Sequence, residues 1–140
     1  MTVIDSTRKT TMNDTFLGGS MQQPMFTDIV QNYYAEIDKG NVDQVVALFE
    51  VDAEYARPGY ANLRGRDAIR SFYVDDRVIE SGMHRIESLV SDSGTVAVEG
   101  SFKGTVRGGG DAEVKFADFF SPGPNGLIKQ RRTYFYAALI

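Results

Sequence analysis

Apolar residues recur with helical spacing in the first half of the chain and alternate with polar residues in the second half. Between residues 26 and 37 they recur every three or four positions, which predicts an amphipathic helix that ends at Gly40. A second apolar stripe begins after Asn41, and a third lies in residues 65–76, so two further helices are expected. The first stripe consists of Phe26, Ile29, Val30, Tyr33, Tyr34 and Ile37.

From residue 83 onward the alternation is that of strands with one buried face. Turn sequences rich in Gly, Pro, Asn and Asp separate four such segments, at residues 83–90, 95–106, 112–120 and 127–136. A shorter strand is expected at residues 53–60, broken at Pro58 and Gly59. Helices followed by an antiparallel meander predict an α+β fold, in which a cone-shaped curved antiparallel sheet wraps around the N-terminal helices.

The chain has 140 residues, which suits one domain. Residues 1–20 are rich in Ser, Thr and Asp and lack helical periodicity, so they are expected to form a flexible N-terminal tail. Residues 21–140 are expected to form the folded domain.

Composition excludes several classes of function. The chain has no Cys and one His, which argues against a thiolate or multi-histidine metal site. Its net charge of −4 argues against nucleic acid as a partner, because phosphate binding needs a clustered basic surface. No apolar run is long enough for a membrane helix, and no secretory signal is recognised, so a cytoplasmic protein without a membrane partner is expected.

Asp118 lies in the apolar phase of its strand, together with Phe116 and Phe120. Burying a lone ionised carboxylate is costly, so an inward Asp118 should be neutral, hydrogen-bonded or paired. Arg57 and Arg131 are the candidate partners. A strand bulge that turns Asp118 outward is the remaining alternative.

Three further side chains are candidates for a site. His84 lies in phase with Ile86 and Val90. A single His on an apolar face is commonly a core residue, yet histidine is also the side chain most often used as an acid or base in enzymes. It could pair with Asp118 as acid and base. Tyr33 lies on the apolar stripe of the first helix, and Tyr55 is expected in the core or in a pocket wall.

Four segments carry a family resemblance: YYAEIDKGNVDQVVALFEVDAEY, RGRDAIRSFY, FADFF and NGLIKQRRTYF. They resemble the nuclear transport factor 2-like superfamily, in particular its SnoaL-like and ketosteroid isomerase-like members. The resemblance covers residues 25–140 and implies a cystatin-like α+β barrel. It does not specify a reaction, because this superfamily contains isomerases, cyclases, dehydratases, epoxide hydrolases and proteins without catalysis.

The resemblance also assigns roles to particular residues. In ketosteroid isomerase a Tyr of the first helix and a protonated Asp of a late strand stabilise an oxyanion. Tyr33 and Asp118 match these two positions. The general-base Asp of the isomerase precedes a Pro, whereas Arg57 stands before Pro58 here. SnoaL-like proteins often carry a His at the start of the strand that contains His84.

The resulting hypothesis is a protein that binds a small hydrophobic ligand bearing a carbonyl or hydroxyl group. It could catalyse proton transfer without a cofactor, as an isomerase or cyclase does. Asp118 and Tyr33 would stabilise the oxyanion, and His84 would move the proton. The expected substrate-binding residues are Arg57, Tyr55, Phe116 and Arg131.

Two alternatives stay open. One is a non-catalytic ligand-binding or dimeric scaffold protein, which the missing base before Pro58 favours. The other is an epoxide hydrolase or dehydratase that uses Asp118, Arg131 and Tyr55. A homodimer is expected from the resemblance alone.

Overall fold

A computed structural model describes residues 25–137 of the chain. The flexible tail predicted for residues 1–20 lies outside this range. The elements in chain order are α1 (Phe26–Lys39), α2 (Val42–Ala47), β1 (Phe49–Ala56), β2 (Leu63–Arg64), α3 (Gly65–Ser71), a π-helical turn (Phe72–Asp76), β3 (Ile79–Asp92), β4 (Thr95–Val106), β5 (Asp111–Pro122) and β6 (Ile128–Tyr136).

Six strands form one curved, open sheet in the order β2-β1-β6-β5-β4-β3. The predicted meander is confirmed, because β3 to β6 pair as successive antiparallel neighbours. Strand β1 joins this meander in parallel with β6, where Tyr55 pairs with Arg131. The chain therefore crosses from β1 to the far edge of the sheet and returns strand by strand. The predicted α+β class, a curved sheet with N-terminal helices, is confirmed.

Helix α1 supplies the layer that covers the concave face. It ends at Gly40, whose φ of 77° is a left-handed conformation that glycine adopts without strain. The amides of Gly40 and Asn41 donate to the carbonyls of Ile37 and Glu36, at 3.1 Å each, and so satisfy the last turn. The buried face of α1 consists of Val30, Tyr33, Tyr34 and Ile37.

A bulge in β3 changes the phase that the alternation predicts. The pairing with β4 shifts between Ile86 and Ser88, so one residue is inserted at this point. Leu89 consequently packs against the core, whereas Val90 is 60% exposed. The prediction that Val90 shares the inward phase of His84 and Ile86 is therefore wrong.

Candidate functional site

Asp118 and Arg131 form an ion pair on the concave face of the sheet. Asp118 pairs across the strands with Thr133, and Arg131 pairs with Phe120. Because side chains two positions apart share a face, both charged groups point inward. Arg131 Nη2 donates to Asp118 Oδ2 at 2.8 Å, and the two side chains are 6% and 0% exposed. Of the two partners expected for Asp118, the structure selects Arg131.

Three donors converge on the Asp118 carboxylate. The hydroxyl of Tyr34 and the Arg131 guanidinium donate to Oδ2, and the Thr133 hydroxyl donates to Oδ1. A carboxylate that accepts several donors, one of them cationic, is stabilised in its ionised form. This arrangement favours a negative Asp118. Three of the four acceptor positions of the carboxylate are occupied, which leaves one position on Oδ1 for a further group.

Tyr33 and Tyr73 form a hydrogen-bonded pair of phenols beside the ion pair. Arg131 Nη1 donates to the oxygen of Tyr33 at 2.6 Å and to that of Tyr73 at 3.2 Å. Each phenol carries one proton, and the bond between them uses one of the two. The second phenol proton has no acceptor among the described residues.

The buried tyrosines are neutral donors at ordinary pH. Burial raises the pKa of Tyr33 well above its usual value of 10.0, although the charge of Arg131 opposes this. Burial and then the charge of Asp118 raise the pKa of Tyr34. Burial raises the pKa of Tyr73 to about 12. Burial would lower the pKa of Arg131, but Asp118 and then the neighbouring tyrosines together outweigh burial and raise this pKa, so the guanidinium stays charged.

Aromatic rings sandwich the Arg131 guanidinium. Its central carbon lies 4.6 Å from the Tyr33 ring and 4.5 Å from the Tyr55 ring, distances at which cation–π attraction is effective. The Tyr55 hydroxyl lies 3.5 Å from Thr133 Oγ1. Because Thr133 gives its one proton to Asp118, Tyr55 must be the donor in this long contact.

Arg57 follows β1 and lies next to Tyr55 without reaching Asp118. Its Nη1 is 3.5 Å from the Tyr55 hydroxyl. The rings of Tyr60, Phe72 and Phe135 surround its guanidinium. Arg57 therefore borders the Asp118 and Arg131 pair but is not part of it.

His84 pairs with Asp38 of α1 and not with Asp118. Its Nδ1 lies 2.6 Å from Asp38 Oδ1, and its backbone amide donates to Asp38 Oδ2 at 2.8 Å. Both side chains are mostly buried, at 11% and 17% exposure. The predicted His84–Asp118 pair is thus replaced by a connection through Tyr34, whose ring packs on His84 and whose hydroxyl bonds Asp118.

All seven predicted site residues lie in or beside one continuous network. Asp118, Arg131 and Tyr33 are directly bonded, and Tyr55 packs against Arg131. Phe116 enters through its ring contacts with Tyr34 and His84, at 5.9 and 5.5 Å. The roles predicted for these residues stay predictions.

Four residues of this network are not among the predicted site residues: Tyr34, Asp38, Tyr73 and Thr133. Asp38 lies four positions after Tyr34, so both project from the same face of α1, and this spacing could have signalled it. Thr133 shares the strand phase of Arg131, which is an equally simple signal. Tyr73 lies on a π-helical turn, which periodicity alone does not reveal.

The two cavities described lie away from the network. One, of about 680 Å³, lies along the outer side of β1, β2 and β6; the other, of about 510 Å³, lies beside α2 and Arg70. The binding pocket that the hypothesis of a hydrophobic ligand requires stays a prediction. Within residues 25–137 no cluster of three or more His, Asp or Glu could hold a metal, and no helix is long and apolar enough to span a membrane.

Solved structures share this architecture at low sequence identity. SalBIII, an epoxide hydrolase/cyclase-like enzyme in pyran ring formation in the polyether salinomycin, has a TM-score of 0.69 and 23% identity, over 79% of this chain and 90% of its own. A hypothetical protein with a ketosteroid isomerase-like fold from Catenulispora acidiphila, in complex with trimethylamine, has a TM-score of 0.69 and 22% identity, over 79% and 85%. TerC, co-crystallised with polyporic acid, has a TM-score of 0.69 and 17% identity, over 79% and 91%.

These likenesses establish the fold and not the reaction. Proteins with NTF2-like and cystatin-like folds also match. A search of curated proteins finds no significant match. The model of the SnoaL-like domain matches residues 30–130, which is most of the chain and includes Tyr33, His84 and Asp118. The chain therefore belongs to the SnoaL-like domain family.

Proposed function

We propose that the protein binds a small hydrophobic molecule with a carbonyl or hydroxyl group on the concave face of its sheet. We further propose that it moves a proton on this molecule without a cofactor. The observation that carries the proposal is the buried network, which holds a phenol proton without an acceptor and joins it, through the ring of Tyr34, to the His84–Asp38 pair. Each buried polar group costs desolvation free energy, so a core selected for stability alone would be expected to contain fewer of them.

His84 is the proton acceptor in this proposal. Asp38 Oδ1 accepts a hydrogen bond from Nδ1–H, which leaves the lone pair on Nε2. A carboxylate that fixes the tautomer and orientation of an imidazole makes it an effective general base. In this proposal Asp38 on α1 and His84 on β3 together take the role of the general base that the family resemblance expects before Pro58.

The phenol pair stabilises the negative charge that develops on the ligand oxygen. The Tyr33–Tyr73 pair has one proton to donate, and Arg131 polarises both phenols through Nη1. Donors that are already oriented in a dry site lower the energy of an enolate-like transition state more than water does. Asp118 then acts by holding Arg131 in place.

Binding and proton transfer are tested separately. Naphthols imitate an enolate, and 2-tetralone carries acidic protons next to its carbonyl. Wild type should be stabilised by 2-naphthol in a thermal shift assay and should exchange these protons of 2-tetralone in D2O, followed by NMR. Tyr73→Phe should weaken naphthol binding, and His84→Gln should keep binding but lose exchange. Tyr136→Phe is the matched control, because Tyr136 is 79% exposed.

The outcomes distinguish the proposal from a binding protein. Naphthol binding without exchange above the buffer rate would assign the chain to the non-catalytic alternative. Absence of binding, or equal binding by Tyr73→Phe, would refute the proposed site.

A second candidate function is the opening of an epoxide by water. Its support is that Asp118, Arg131 and Tyr55 lie together, as that reaction would require. The Asp118 oxygens already accept three donors, which leaves less room for an attacking water. Incorporation of 18O into the diol from styrene oxide in labelled water would support this candidate over proton transfer.

A further inference from the structure

Arg57 lies at the end of the sheet where β1 and β6 both finish. Aromatic rings frame its guanidinium: the central carbon lies 4.9 Å from the Phe72 ring, 5.3 Å from the Phe135 ring and 5.4 Å from the Tyr60 ring. Phe72 is buried, whereas Tyr60 and Phe135 are 37% and 39% exposed. The frame is therefore closed on the inner side and open toward solvent.

The charge of Arg57 is not neutralised within residues 25–137. Arg131 meets the Asp118 carboxylate at 2.8 Å, whereas no carboxylate of the described residues lies within ion-pair distance of Arg57. The Nε of Arg57 is buried without a hydrogen-bond partner, and the contact of Nη1 with the Tyr55 hydroxyl is long at 3.5 Å. A partly desolvated cation with so few partners is costly unless an anion completes it.

The two arginines share Tyr55. Arg131 lies over the Tyr55 ring at 4.5 Å, and Arg57 approaches the hydroxyl of the same side chain. Since Asp118 cancels the charge of Arg131, this part of the network carries one net positive charge. Aromatic packing also restricts the guanidinium, which reduces the entropy lost when its planar fork binds a planar anion.

We propose that Arg57 is an anion-binding subsite and that the ligand of this protein carries a carboxylate on its hydrophobic frame. This inference rests on the proposed function, because it names the class of ligand for the same site. The carboxylate would lie against the Nη side of Arg57 between Tyr60 and Phe135. A single arginine framed by rings suits a carboxylate on an aromatic or alicyclic acid, since it offers one planar fork and apolar surface beside it.

The test compares a charged and a neutral probe of the same shape. Dissociation constants of 2-naphthoate and 2-naphthamide are measured by calorimetry at pH 8, together with that of 2-naphthol. Wild type should bind the naphthoate at least tenfold more tightly than the amide. Arg57→Met should remove this preference, and Arg57→Lys should keep part of it because it retains the charge without the fork. Arg132→Met is the control, because Arg132 is exposed on the opposite face of the sheet.

Each outcome decides the inference. Equal affinity of wild type for acid and amide, with normal binding of 2-naphthol, would overturn the Arg57 subsite and leave the proposed function in place. A preference for the acid that survives in Arg57→Met would also overturn it. If neither the naphthol nor the acid binds, the proposed function fails, and the subsite fails with it.

Discussion

Asp118→Asn is the substitution whose cost the structure specifies best. It keeps the shape of the side chain but removes the negative charge that Arg131 meets in the interior. The charge-assisted bond at 2.8 Å is lost, and a guanidinium that is 6% exposed is left without a counter-ion. Breaking a buried pair by removing one partner costs about 3–5 kcal/mol. The free energy of unfolding should fall by about this amount.

Urea unfolding followed by circular dichroism measures this loss, because the chain has no Trp to report by fluorescence. With about 3–4 °C per kcal/mol for a domain of this size, the melting temperature should fall by about 10–20 °C. Glu113→Gln is the control. Its pair with Lys103 spans 3.9 Å with both side chains at least 70% exposed, so it should cost less than about 1 kcal/mol.

The double variant Asp118→Leu, Arg131→Met separates charge from packing. It removes both charges together but leaves the buried hydroxyls of Tyr34 and Thr133 without their acceptor, so it should recover only part of the stability that Asp118→Asn loses. The reasoning fails if Asp118→Asn costs less than about 1 kcal/mol, because the pair would then be hydrated. It also fails if the double variant is no more stable than the single one.

Three further predictions concern the buried tyrosines, Glu50 and the outer face of the sheet. Burial raises the pKa values of Tyr33, Tyr34 and Tyr73, so the stability they contribute is present below pH 10 and lost as the pH rises toward and beyond about 12. A titration at 295 nm should show these tyrosines ionising together with unfolding, and a single step near pH 10 for all seven would contradict this. Burial would raise the pKa of Glu50, but hydrogen bonds from the side chain and amide of Asn125 and from the amide of Leu127 outweigh burial and lower this pKa. The free energy of unfolding should therefore fall as the pH drops below about 4.5. Glu50→Gln should lower the free energy of unfolding by about 1–3 kcal/mol at pH 7, and this free energy should then depend less on pH below about 4.5 than it does in wild type. The same pH dependence in wild type and variant would argue against this role of Glu50. The outer face of the sheet carries the exposed rings of Phe119 and Tyr134, which are expected to form the interface of a homodimer. Light scattering should give a mass of twice 15.5 kDa for wild type and of 15.5 kDa for Tyr134→Glu. A monomeric wild type would exclude the dimer.

The inward position of Asp118 could be predicted because the pleat of a strand has a period of two. Val98, Asp118 and Thr133 lie side by side on adjacent strands, and none of the three strands has a bulge at this level. The same rule failed at Val90, because the bulge at Ile86 inserts one residue and reverses the phase beyond it. Alternation is therefore informative only where the register is regular.

The partners of the charged groups could not be predicted from alternation. Arg57 and Arg131 were both possible for Asp118, and the choice depends on β6 lying between β5 and β1. Strand order arises from long-range pairing, which a local pattern does not contain. His84 was likewise separated from Asp118 by the ring of Tyr34, and its true partner, Asp38, lies on a helix 46 positions earlier.

A buried ion pair is a weak source of stability, since well-packed apolar residues in its place are often neutral or stabilising. The pair of Asp118 and Arg131 therefore needs another explanation, and the free phenol proton beside it offers one. The double variant Asp118→Leu, Arg131→Met tests this directly, because it is expected to fold. If it folds but no longer binds 2-naphthol, the charges serve the ligand. If it binds 2-naphthol unchanged, the pair is structural, and Tyr33 and Tyr73 do not depend on the guanidinium as donors.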